Sequence, residues 1–101
     1  MNINITSQEN TVLVTIEGRL DTANAVEAEK SLAPLKEYAD KEIELDCTSL
    51  EYISSSGLRI LLALRKDVDA KGGKLIVKHI NDSIRNVFTI TGFFKLFDIR
   101  P

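Results

Sequence analysis

The sequence is short of the residues from which many sites are built. Its one cysteine, Cys47, has no partner for an internal disulfide, and with the one histidine, His79, it cannot supply a metal cluster of recognisable spacing. Charge is not in excess either: thirteen basic against fifteen acidic residues leave a net charge of −2. That gives no broad positive field for a phosphate backbone, so no direct nucleic-acid binding is expected. The apolar runs are broken by charges well short of the ~20 residues that cross a bilayer, so no membrane insertion is expected. The opening MNINITSQEN has neither a basic head nor an apolar signal core, and the chain reads as cytoplasmic. Repeats, low-complexity tracts and internal linkers are also missing.

What is present is enough for one core. With 101 residues, 44% of them hydrophobic, the chain reads as a single domain over residues 1–101. INIT (Ile3 to Thr6) and TVLVTIEG (Thr11 to Gly18) alternate at period two around a polar SQEN turn, with Val12, Val14 and Ile16 on one face. The spacing then becomes helical, through Ala25, Ala28, Leu32, Leu35 and Ala39, with Asp21 or Thr22 as N-cap. Pro34 would cost about 3 kcal/mol inside a continuous helix, which predicts a kink or two short helices.

KEIELDC alternates again, with Ile43 and Leu45 on the buried face. Gly57 to Ala70 carries an apolar arc from Leu58 to Val68, and KGG stops it. KLIVKHI is a further strand. NDSIRNVFTITG is a helix capped by Asn81 or Asp82, and FFKLFDI a short amphipathic closing helix. The expected fold is α/β: a mixed sheet with helices mainly on one face, in the order β-β-α-β-α-β-α plus that closing segment.

Three consecutive serines, Ser54, Ser55 and Ser56, precede Gly57 at the junction of a strand and the leucine-rich helix. A helix start has unpaired N–H groups and a positive dipole end. One serine there can cap the helix, and a phosphate can accept the same donors. Hydrolase chemistry is disfavoured, because Ile53 stands where a nucleophile elbow centred on Ser55 needs glycine, and His79 has no evident orienting partner. KGGK lacks the spacing of a phosphate-cradling loop. Neither a catalytic residue, a cofactor nor a metal is expected. Cys47 reads as a core residue and His79 as incidental.

GRLDTANA (Gly18 to Ala25), DCTSLEYISSSGLRIL (Asp46 to Leu61) and VFTITGFFKLFDI (Val87 to Ile99) occur in this order. Together they resemble the STAS domain in the form found in bacterial anti-sigma factor antagonists. The resemblance implies a STAS-like fold and a non-enzymatic partner switch. In that family a segment of aspartate, serine, small residue and glycine precedes the second helix, and the serine after the aspartate is phosphorylated by an anti-sigma factor that is itself a kinase. Anchoring on Gly57 places that serine at Ser55. Ser54 stands where the family has aspartate, which leaves Ser54 and Ser56 as alternative acceptors.

The implied partner surface comprises Asp21, Thr22, Ser54, Ser55, Ser56, Gly57, Leu58 and Arg59, with Ser56 as the simple cap. The implied partners are an anti-sigma factor serine kinase and a serine phosphatase, with the domain monomeric when free. The alternative is a non-phosphorylated STAS scaffold, or a cytoplasmic subunit of a lipid-transport or signalling complex, favoured by the neutral Ser54.

Overall fold

Alternating burial makes Thr11–Leu20 the longest strand, and the other elements are arranged along it. The computed structural model describes residues 1–101. Its strands are β1 (Asn2–Ser7), β2 (Thr11–Leu20), β3 (Glu42–Asp46), β4 (Leu50–Ile53), β5 (Lys74–Lys78) and β6 (Asp98–Arg100). The helices are α1 (Ala25–Leu32), α2 (Ser55–Lys71) and α3 (Asp82–Ile90), with 3-10 turns at Ala33–Tyr38 and Phe93–Leu96. The sheet order is β1-β2-β3-β5-β6, with β4 also on β2, and only the β1–β2 pair is antiparallel.

The expected mixed sheet is present, and two strands must be added to the expected order. The segment after β3 is not wholly loop. Asp46 Oδ1 accepts from the Thr48 N–H at 3.0 Å and the Thr48 hydroxyl at 2.6 Å, which folds Cys47–Ser49 into a turn. Past that turn β4 resumes parallel pairing with β2 at Gly18, where the β2 register shifts. The closing segment is also corrected. Only Phe93–Leu96 coils, as a 3-10 turn, and Asp98–Arg100 then pairs with β5. Pro34 divides its helical region as expected: α1 ends at Leu32 and a 3-10 turn carries the proline near its start, where a missing N–H does no harm.

One face of the sheet makes the core. Val12, Val14, Ile16, Ile43, Leu45 and Val77 are wholly buried there, against Ala28, Leu58, Leu61, Val68, Ile84 and Phe88 from the three helices. Phe88 meets Phe97 edge-on at 5.4 Å, which ties the closing segment to α3. The opposite face carries Glu44, paired with Lys78 at 3.3 Å. Ile76 belongs to that second face, in register with Glu44 and Asp98, and is buried outside the main core cluster. No helix is long and apolar enough to cross a membrane.

Candidate functional site

Parallel pairing of β2 with β4 brings the strand that leads into α1 beside the strand that leads into α2. Both connections therefore emerge at one end of the sheet. The Ser54 N–H donates to the Leu20 carbonyl at 2.9 Å, so the serine segment starts directly against the end of β2. The two connections touch there: the Thr22 and Ser56 hydroxyl oxygens lie 3.4 Å apart.

Each serine has a different environment. Ser54 has extended backbone (φ −90°, ψ 171°), and its Oγ accepts from the Gly57 N–H at 3.1 Å. It is the N-cap, and the expectation that Ser56 would cap is corrected. Three adjacent hydroxyls compete for that role, and the residue whose backbone is still extended wins it. Ser56 lies inside the helix, half-buried beside Thr22. Ser55 is the first helical residue, is exposed, and its hydroxyl makes no hydrogen bond within the chain.

Gly57 is buried for a reason different from partner access. A Cβ there would lie 2.8 Å from both Ile53 Cγ1 and Leu20 Cγ, so the glycine lets α2 close onto β2 and β4. Leu58 is wholly buried, which removes its side chain from the expected contact surface and gives it to the core. Arg59 is exposed, as expected. Α groove of about 480 Å³ runs between α1 and α2, lined in part by Val26, Ile60 and Ala63 with Glu29, Ser56 and Arg59.

Asp21 and Thr22 do not cap α1. Its N-cap is Asn24, which makes no side-chain cap bond. Instead Asp21 and Asn24 close a reciprocal turn: the Asn24 N–H donates to Asp21 Oδ1 at 3.1 Å and the Asp21 N–H to Asn24 Oδ1 at 2.9 Å. Asn24 Nδ2 also donates to the Arg19 carbonyl at 2.7 Å. Arg19 stacks its guanidinium over Tyr52, 4.5 Å from the ring centroid, and approaches Asp21 at 3.9 Å. Asn24, Arg19 and Tyr52 were not singled out from the sequence. The short polar run DTAN signals the turn but not its pairing, and the Arg19–Tyr52 stack depends on the strand β4.

Of the remaining sequence candidates, one is buried and the other exposed. Burial, reinforced by neighbouring Asp46, pushes the Cys47 thiol up to about 12, so it stays protonated and unreactive near neutrality. His79 is exposed beyond β5 with a left-handed backbone (φ 63°).

Residues 2–101 match the STAS domain family. The chain belongs to that family. This STAS domain is 29% identical over 99 residues to BtrV of Bordetella bronchiseptica, a match covering 98% of this chain and 85% of the relative. It is 27% identical to the anti-sigma-B factor antagonist of Bacillus subtilis over 99 residues, 98% of this chain and 90% of that protein. Among solved structures, the anti-sigma factor antagonist SpoIIAA in its unphosphorylated form superposes with a TM-score of 0.72 at 16% identity, over 99% of this chain and 88% of the other. The phosphorylated form of Bacillus SpoIIAA gives 0.71 at 18% identity, over 99% and 92%. Likeness at these identities establishes a shared fold. The resemblance carried by the three sequence blocks is therefore borne out.

Proposed function

We propose that this STAS domain is an anti-sigma factor antagonist that acts as a phosphorylation-controlled partner switch. The unmodified domain binds an anti-sigma factor serine kinase and so frees the sigma factor, and phosphorylation of Ser55 abolishes that binding until a serine phosphatase reverses it. The observation that carries the choice of Ser55 is the division of labour among the three hydroxyls. Ser54 is spent on capping, Ser56 is half-buried beside Thr22, and Ser55 is exposed with a free hydroxyl. The naming of the Bacillus subtilis relative as an anti-sigma-B factor antagonist supports the partner class.

In the transfer step the Ser55 Oγ bonds to the γ-phosphorus of ATP as its bond to the bridging oxygen breaks. ADP leaves, and the hydroxyl proton passes to a base of the kinase. The product carries about −1.5 to −2 charges at the start of α2. A partner surface fitted to a neutral loop then meets repulsion and an unpaired desolvated charge, and about 3 kcal/mol of penalty is roughly a hundredfold in affinity. No rearrangement of the fold is required. The neutral Ser54 keeps the cap that an aspartate would make, so the helix start does not depend on that charge.

Incubation with the cognate kinase and ATP, followed by intact-mass measurement, tests the acceptor. One phosphate is expected on the wild-type protein and none on Ser55→Ala. Undiminished uptake by the alanine variant would reassign the acceptor to Ser54 or Ser56. No uptake by the wild type, with stable co-purification of transport or scaffold subunits, would replace the switch with a structural role.

A further inference from the structure

Arg59 stands one helical turn after Ser55, four residues on, and its charge is unpaired. It takes part in none of the chain's salt bridges, whereas Arg19 approaches Asp21 and Arg65 pairs with Asp69 at 3.5 Å. Side chains on a helix lean toward its N-terminus and cover the preceding turn. An exposed arginine at this position therefore overlies the surface around Ser55 and Ser56, and Arg59 and Ser56 do line one groove. An anion four residues N-terminal to a cation is the favourable order for such a pair. The carboxylates that border the groove are Glu29 of α1 and Asp67 of α2, with Lys36 as its other cation, and neither carboxylate pairs with Arg59. On the loop side the charges are Arg19 and Asp21, already close to one another.

We infer that Arg59 is the internal counter-charge for a phosphate on Ser55. The inference rests on the switch reading above and adds its regulation. In the unmodified domain the guanidinium is free to meet a carboxylate of the partner. Once Ser55 is phosphorylated, Arg59 folds back one turn and its planar fork of donors engages the phosphate oxygens. Modification thus removes a cation from the docking surface at the same time as it adds an anion.

The test needs no kinase. Phosphoserine is installed at position 55 during synthesis, and the second phosphate ionisation is followed by phosphorus NMR against pH. Pairing with Arg59 holds the wild-type phosphate pKa about 0.4 unit below that of Arg59→Gln, with Arg59→Lys between them. Lys66→Gln, which removes an exposed charge farther along α2, serves as the control for a general field and is expected to move it by less than about 0.1 unit. Equal values in wild type and Arg59→Gln, or an equal shift from Lys66→Gln, would overturn the inference. Because the phosphate is placed directly, such a result would leave the switch reading standing. Failure of a kinase to modify Ser55 would remove that reading without altering the NMR result.

Discussion

The first turns of α2 and α3 are built alike and differ in charge. Ser54 and Asn81 are both extended N-caps, and each accepts from the N–H three residues on, Gly57 at 3.1 Å and Ile84 at 2.8 Å. In α3 the first helical residue is Asp82, which already satisfies the positive end of the dipole. The equivalent residue in α2 is Ser55, and the first turn of α2 has no acidic residue. Asn81 is further tied to β4, its Nδ2 donating to the Leu50 and Glu51 carbonyls at 3.2 Å each. One helix start is finished and anchored. The other is capped but left neutral, with an exposed hydroxyl where its counterpart has a carboxylate, and that vacancy for negative charge is what phosphorylation would fill.

Substitutions at matched positions sharpen or break this contrast, and urea denaturation reads all of them. The largest loss is expected at the third helical residues. Ile84→Ala should cost about 3 kcal/mol by emptying a wholly buried site. Gly57→Ala should cost about 2 kcal/mol for the opposite reason, because the added methyl collides with Leu20 and Ile53. A smaller effect is expected at the caps. Ser54→Ala should lose about 1 kcal/mol and Asn81→Ala more, since Asn81 also holds two β4 carbonyls. Equal losses at the two caps would show that the anchoring of α3 to β4 contributes nothing.

The smallest effects come from exchanging the charges. Ser54→Asp keeps an accepting oxygen and adds a favourable charge, for a gain of about 0.5 kcal/mol at low salt. Asp82→Asn should lose a similar amount, about 0.5 kcal/mol, and both changes should shrink as salt is raised. Salt-independent values would mean that the two helix starts do not differ electrostatically.

Much of this was legible in the sequence, and the exceptions share a cause. Val12, Val14 and Ile16 announced β2 because a period of two survives whatever the strand later pairs with. The arc from Leu58 to Val68 announced α2 in the same way. By contrast β4 has four residues and follows a side-chain-stabilised turn, and β6 has three, too few for periodicity to register. The phenylalanines before β6 read as a helix stripe, yet Phe97 is buried through its edge-on contact with Phe88, a residue of α3. At the site, the sequence pointed to the segment of three serines, but it assigned the helix cap to Ser56 rather than Ser54 and placed Leu58 on the contact surface rather than in the core. Which of three hydroxyls caps depends on where the backbone turns helical, and whether Gly57 and Leu58 face a partner depends on how closely α2 meets β2. Those are packing facts, and a single turn of sequence does not contain them.

In the proposed switch, phosphorylation of Ser55 decides binding. The most direct measurement is the affinity of the cognate anti-sigma factor for the unmodified protein and for protein carrying phosphoserine at position 55, titrated side by side. A loss of about a hundredfold on phosphorylation, with the fold unchanged by circular dichroism, is the expected result. Equal affinities of the two forms would contradict it.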